Sequence, residues 1–379
     1  MANHKHTSRC GRGFKSHLSR FKGRLLSLCL IILVGMSVGS AARAQEPEEH
    51  YNRLYVGNFL SNTVSVIDLD VSKVVAEIPV GTGPTGMVGT PDLEHVYVAN
   101  MWAGTVSVIS VETDTVETTI TIPSFYGKGA PFGMAVTPDG SKVFVTNIAD
   151  GTVRVISTET NTLVATIIGA YDWALRYIRI SPDGKYAYVV GAGEGKITVI
   201  NVADYSVVAK ITNLPGVRDV VVTPDGTRLY AVSDKVSRLY AIDASTYAII
   251  AMIQFPTDAA TVTIDLDPAG KFALITNYYG KVSVLDTDPL SPTYNQITAQ
   301  VPPNSAYQYY AGVSPDGKSA YLTNQADRGK SPNSVNIIDL AADSPTRNTI
   351  VASIPVGQQP WWVVVIKTPT PQPPPAAKP

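Results

Sequence analysis

Two arginines, Arg176 and Arg218, stand six residues ahead of the prolines of two Pro-Asp-Gly turns, Pro182 and Pro224. A guanidinium is a planar fork of donors that fits a carboxylate or phosphate, so two in one register suggest an oxyanion site. The same register holds Phe132 and Tyr309 in other copies of the turn, and Tyr177 and Trp361 flank it. The competing use of the arginines is internal pairing, favoured because Asp172 and Asp219 lie close in sequence. Loop segments add Phe59, Trp102, Tyr126, Trp173, Tyr278 and Tyr279, and all four tryptophans of the chain fall in such segments. Aromatic and Arg side chains on loops above a rigid scaffold are what binding surfaces use. Packing over a channel is the alternative use of the same rings.

Nucleophilic and acid–base chemistry is harder to assemble. Residues 1–44 read as a signal peptide: seven Lys and Arg precede Leu25, an apolar run reaches Val38, and Ala42-Arg-Ala44 offers small residues for cleavage. That run is short for a membrane span, so no span is expected in the mature chain. The leader holds both cysteines, Cys10 and Cys29, and His4, His6 and His17. A mature chain without cysteine has no thiol nucleophile, disulfide or thiolate metal ligand. His50 and His95 remain, isolated in sequence, and read as surface residues. They cannot form a multi-histidine metal site, and His is the commonest general base near neutral pH. No metal and no cofactor is therefore expected. The leader also carries eight basic and no acidic residues, leaving 22 Lys and Arg against 31 Asp and Glu, a formal −9. Nucleic-acid binding usually needs a basic face, which argues against that partner.

The elements that must position these residues repeat seven times. Tyr55-Val-Gly-Asn58, Tyr97-Val-Ala-Asn100, Phe144-Val-Thr-Asn147, Tyr188-Val-Val-Gly191, Tyr230-Ala-Val-Ser233, Leu274-Ile-Thr-Asn277 and Tyr321-Leu-Thr-Asn324 start 42 to 47 residues apart. Each copy sits among four short runs rich in Val, Ile, Thr and Tyr, which suit strands, here named a to d. Pro-Asp-Gly joins a to b at Pro138, Pro182, Pro224 and Pro315, and survives altered at Pro91-Asp-Leu and Pro268-Ala-Gly. Four strands per unit and seven units predict an all-β, seven-bladed β-propeller. The first repeat lacks strand a, and an orphan strand, 361–367, follows the last, so the C-terminal strand should complete the first blade and close the ring. The expected organisation is a signal peptide (1–44), a lead-in (45–53), the propeller (54–367) and a Pro-rich disordered tail (368–379).

Strand alternation puts a–b and c–d turns on one face and b–c loops and d–a crossovers on the other. The second face receives the aromatic and Arg residues above. Gly191-Ala-Gly-Glu-Gly195 reads as a loop, since no helix follows it, and the recurring Asp68, Asp243, Asp286 and Asp339 read as turn-stabilising residues.

The seven motifs, with Thr63-Val-Ser-Val-Ile-Asp68, Thr105-Val-Ser-Val-Ile109 and Ile78-Pro-Val-Gly81, resemble the YVTN family of propeller repeats found in surface-layer and secreted proteins. The resemblance spans 54–367 and implies architecture more than activity. Blades four and five depart from it at Tyr188-Val-Val-Gly191 and Tyr230-Ala-Val-Ser233.

The leading expectation is a monomeric, secreted or periplasmic binding scaffold without chemistry of its own. Its aromatic loop face would meet a protein, glycan or small anionic ligand. The alternative is an enzyme at the channel mouth, because similar propellers include lactonases and lyases; Arg176, Arg218, Asp219 and Tyr309 are the candidates. A third role is accessory partner of a periplasmic redox enzyme, although the mature chain lacks Cys-x-x-Cys-His for covalent haem.

Overall fold

The computed structural model describes residues 52–170, 172, 174–255, 261–278, 281–302, 307–325 and 332–366. The expected leader, most of the lead-in, Lys367 and the Pro-rich tail lie outside them. The described chain is a seven-bladed β-propeller without a helix: seven antiparallel four-stranded sheets plus one two-stranded ribbon. Blade 1 takes its inner strand from the far end of the chain. Pro360–Ile366 pairs with Arg53–Asn58, with Arg53 opposite Ile366. The inner strands of blades 2 to 7 are Pro84–Gly89, Pro131–Val136, Leu175–Ile180, Val217–Val222, Thr261–Leu266 and Tyr307–Val313.

The apolar cores lie between blades. Phe144 and Val155 of blade 3 pack with Ile178 and Val189 of blade 4, and clusters of the same kind fill the other junctions. Strands a to c are sandwiched by neighbours and are buried along most of their length, as in Arg53–Asn58 and Thr105–Ser110. The outermost strands alternate exposed and half-buried positions, as in Lys73–Pro79 and Thr115–Thr121.

Three letters of the repeated motif have distinct tasks. The aromatic residue reaches out of its blade: Tyr55 donates to Asp114 Oδ1 at 2.6 Å and Tyr97 to Asn161 Oδ1 at 2.5 Å, both in the next blade's c–d turn. Both acceptors have positive φ, which Asn and Asp tolerate better than most residues. Where blade 3 has Phe144, with no hydroxyl, the next turn instead presents the ring of Tyr205, edge-on at 6.1 Å. The third letter serves the inner strand. Thr146 Oγ1 accepts from the Gly133 amide, Thr276 from Thr263 and Thr323 from Tyr310, each amide being freed where strand a bulges.

The fourth letter organises the loop face. Asn100 Nδ2 donates to Thr105 and Ser107, and Asn58 does the same to Thr63 and Ser65. Gly81 and Gly357 of the preceding crossovers leave room for them, since a Cβ there would lie 2.7 and 2.6 Å from the Asn side chains. Blade 4 inverts the arrangement. Its motif ends in Gly191, and the buried Asp172 of the crossover fills the vacated volume, accepting from the amides of Ala174, Gly193 and Glu194.

On the opposite face the Pro-Asp-Gly turns form a chain of contacts. The glycines of blades 3, 4, 6 and 7 each sit against the preceding blade's proline, such as Gly140 on Pro91 and Gly184 on Pro138. Blade 6 reaches the same turn with Pro268-Ala-Gly, because Asp267 accepts from both the Ala269 and Phe272 amides. The recurring aspartates after strand c also cap turns: Asp243 accepts from the amides of Ser245 and Thr246. Among these described turn glycines, that of blade 5 lacks the contact. Gly226 of blade 5 has nothing near, and a groove of about 840 Å³ opens there, lined by Tyr186, Tyr188 and Tyr247.

Candidate functional site

All seven inner strands bulge near the loop face. A bulge leaves residues out of the ladder and re-aims their side chains. The unpaired positions include Trp361, Phe132, Arg176, Tyr177, Arg218, Tyr309 and Tyr310, so the register picked out ahead of the prolines is a bulge register.

At the mouth these side chains form an aromatic plug. Trp361 stacks between Phe59 at 4.0 Å and Tyr309 at 4.7 Å, with interplanar angles of 6° and 12°. Phe132 meets Trp361 edge-on at 6.3 Å and leans towards Tyr177 at 5.6 Å. Just inside, Trp362 stacks on Tyr310 at 4.1 Å and packs against Tyr177 at 5.3 Å. Tyr177 and Tyr309 are buried and Trp361 is half-buried, so three expected contact residues pack over the channel.

Other candidates face outward. Trp102 is 48 % exposed and meets Phe59 edge-on at 4.4 Å. Tyr126 is 80 % exposed, beside Phe125, at the tip of the ribbon formed by Pro123–Ser124 and Gly127–Lys128. This ribbon is pinned from below. Arg154 and Asp150, both buried, pair at 2.8 Å; Arg154 also donates to the Pro123 carbonyl, and Asp150 accepts from the Phe125 amide. The Arg154 guanidinium lies under the Phe125 ring at 5.5 Å. Ribbon and Trp102 loop adjoin, since a Cβ on Gly104 would fall 2.4 Å from Lys128 Cγ. Tyr278 is half-buried against Tyr307, 5.4 Å away. Trp173 and Tyr279 lie outside the described residues.

The arginines are not paired as their neighbours in sequence suggest. Arg218 donates to Asp234 Oδ2 of its own blade's b–c loop at 2.7 Å, and Arg176 lies over the Phe132 ring at 5.4 Å. Asp172 binds amides, and Asp219 is engaged deeper by Arg179 at 3.3 Å. Arg179 also covers the faces of Tyr177 and Trp362 at 6.0 and 5.8 Å. Asp265 joins this inner group, accepting from the Val313 amide at 2.8 Å. Burial pushes its carboxyl up to about 6, with the Val313 amide and Arg179 pulling the other way. The phenol of Tyr310 is raised by burial, then by Asp265.

Arg179 and Asp265 escaped the reading from sequence, yet a signal exists. They occupy the third position before the turn proline, where blades 2, 3, 5 and 7 carry Val88, Ala135, Val221 and Gly312. On the opposite face Asp92, Glu94 and His95 bring one ligand atom each within 4.8 Å of one another. Asp92 already accepts from Thr90 and Glu94, and His95 contacts Glu117 at 3.1 Å, so these groups serve their turn and strand.

Comparison with known proteins adds fold. No family model matches the sequence, and no curated protein does. Among solved structures the chain is similar to hydrazine synthase of Kuenenia stuttgartiensis, at 24 % identity and TM-score 0.66, covering 77 % of this chain and 93 % of that one. It is similar to a functionally unknown protein from Desulfotomaculum acetoxidans, at 12 % identity and TM-score 0.69, over 83 % and 99 %. A third likeness, to the dihydro-heme d1 dehydrogenase NirN, has 17 % identity and TM-score 0.57, covering 80 % of this chain but 64 % of NirN. At these identities the likeness establishes the propeller and leaves activity open.

Proposed function

We propose that this propeller is an extracytoplasmic scaffold that acts by binding, offering the face of its b–c loops and d–a crossovers to a protein or glycan partner. One observation carries the reading: Trp102, Phe125 and Tyr126 stand exposed on adjoining loops, and a buried ion pair fixes the base of the ribbon that bears Phe125 and Tyr126. Exposed aromatic rings held at little conformational cost are suited to recognition. The basic, apolar leader supports a location outside the cytoplasm, and the distinct tasks of the Tyr, Thr and Asn positions support reading the repeat as YVTN-like. The test is capture from envelope extract by the mature protein beside a Trp102→Ala/Tyr126→Ala variant. A partner retained by the wild type and lost by an equally stable variant supports the reading; equal capture by both overturns it.

An enzymatic role has one specific observation in its favour. Asp265, Arg179 and Tyr310 place a carboxyl of raised proton affinity beside a cation and a phenol inside the channel, and such perturbed groups cluster at catalytic sites. Turnover of a lactone by the wild type, lost in Asp265→Asn, would establish it. No turnover across a lactone panel would leave the inner group a structural element.

A further inference from the structure

In blades 1, 3 and 5 the residue two places before the motif aromatic is a cation that reaches the next blade's c–d turn. Arg53 pairs there with Asp114 at 2.6 Å. The Lys142 ammonium lies over the Tyr205 ring at 5.5 Å, and the Arg228 guanidinium over the Tyr294 ring at 5.1 Å. Blade 2 has His95, held by Glu117 of its own blade, and blades 6 and 7 have Phe272 and Ser319. Blade 4 differs again. The next turn offers a receiving ring, Tyr247, but Tyr186 stands where blades 3 and 5 have the cation.

This junction is also the open one. The groove of about 840 Å³ beside Gly226 is lined by Tyr186, Tyr188, Tyr247, Asp183, Asp225 and Asp243, and by no Lys, Arg or His. Tyr186 and Tyr247 are half-buried, so part of each ring is open to it. Two polar groups here go unused among the described residues. The hydroxyls of Tyr55, Tyr97 and Tyr230 bond the next turn's positive-φ residue, Asp114, Asn161 or Asn295. Tyr247 holds that place in blade 5, at φ 59°, and gives the Tyr188 hydroxyl no such acceptor. All the hydrogen bonds to the Asp243 carboxylate fall on Oδ1, and none reaches Oδ2.

From this pattern we infer that the groove between blades 4 and 5 binds an organic ammonium ion, seated against Tyr186 and Tyr247 with Asp243 as counter-charge. The ligand takes the place that Lys142 and Arg228 fill at other junctions, where a ring face attracts a cation. Charge selects its sign. Hydrogen bonds from Ser181 and Ser245 hold the Asp183 and Asp243 carboxyls down to about 2, so both are ionised near neutral pH. Lys185 offsets Asp183 from outside the lining, at 3.0 Å, which leaves Asp225 and Asp243 to face the ligand. The volume suits a small molecule. This groove lies on the turn face, opposite the loops of Trp102 and Tyr126, so either site can fail without the other.

The experiment is an NMR titration of the mature protein with choline and cadaverine, and with dimethylbutanol, the neutral carbon isostere of choline, for comparison. Saturable binding of at least one cation, tighter than the isostere, is expected. Tyr247→Ala should weaken it about 2- to 30-fold, the range of a cation over an aromatic face. Asp243→Asn keeps an Oδ1 acceptor for the turn, removes the charge, and should weaken binding as well. Tyr186→Lys supplies the cation from within, as in blade 3. It should abolish binding while leaving the melting temperature unchanged or raised, which separates a filled site from a damaged one. Undiminished affinity in Asp243→Asn or Tyr186→Lys, equal affinity for the isostere, or no saturable binding up to about 10 mM would overturn the inference.

Discussion

The carboxylate of Asp172 and the bare α-carbon of Gly191 share one volume: a Cβ on residue 191 would come within 2.5 Å of Asp172 Oδ2. In blades 1 and 2 the bulk sits on the strand, as Asn58 and Asn100, and the glycine on the crossover. Gly191→Asn should therefore destabilise the protein by about 1–3 kcal/mol, the usual effect of overpacking. Asp172→Gly leaves three amides without an acceptor and should also destabilise. The double variant restores the pattern of blades 1 and 2, and urea unfolding of the full cycle should show it more stable than the sum of the singles predicts. Additive losses would mean the two positions are independent.

The latch between blades 2 and 3 is equally exposed to test. Tyr97→Phe removes the hydroxyl bonded to Asn161, 64 residues away in sequence, and should cost about 1 kcal/mol. Because Asn161 holds a φ of 53°, Asn161→Gly keeps the turn while deleting the acceptor. Unfolding midpoints of the two singles and the double should reveal coupling.

Arg154→Met strands Asp150 as a buried, unpaired charge, with an expected loss of about 3–5 kcal/mol. The loss should be local first. Hydrogen exchange at the Phe125 and Gly129 amides should rise before exchange elsewhere in blade 3. Adding Asp150→Asn should recover part of the stability, since the stranded charge is then gone.

Stability should fall between about pH 4 and 6 through Asp265. Its folded value of about 6 lies above the 3.8 of an ordinary aspartate, so over that window the folded state binds more protons than the unfolded state. Stability then declines as pH rises and levels off above the folded value. Asp265→Asn retains an acceptor for the Val313 amide and should flatten this decline. Chemical denaturation of both proteins at pH 4, 6 and 8 would show it.

Removal of the strand Pro360–Ile366 should open the ring. The truncated chain is expected to melt less cooperatively and at lower temperature. An unchanged thermal transition would sink the closure argument.

The architecture was legible because each repeat writes its strands locally, in the Tyr-Val-Thr-Asn run and the Pro-Asp-Gly turn. The orphan strand after Gly357 even announced the closure. Partnerships were less legible. Arg218 and Asp219 are neighbours in sequence, but the bulge separates their directions: Arg218 meets Asp234 on the loop face, and Asp219 meets Arg179 within the channel. Asp172 looked like a partner for Arg176 and instead holds a loop by its amides. Such pairings depend on where a bulge turns a side chain, which spacing along the chain does not encode. The aromatic set split for the same reason, with Tyr309 and Trp361 turned over the channel and Trp102 left half exposed.

Blade 1 is the first sheet begun in synthesis and the last one finished. Arg53–Asn58 emerges early, yet its inner partner is Pro360–Ile366, some 300 residues later. At roughly 5–20 residues per second, that strand edge waits on the order of 15–60 s for its mate. Blades 2 to 7 are local and can form as they appear, whereas closure is a single late event of high contact order. For this interval the nascent molecule is an open arc with two unsatisfied ends, each able to pair with the wrong chain. Closure of the ring therefore waits on release of the C-terminal strand.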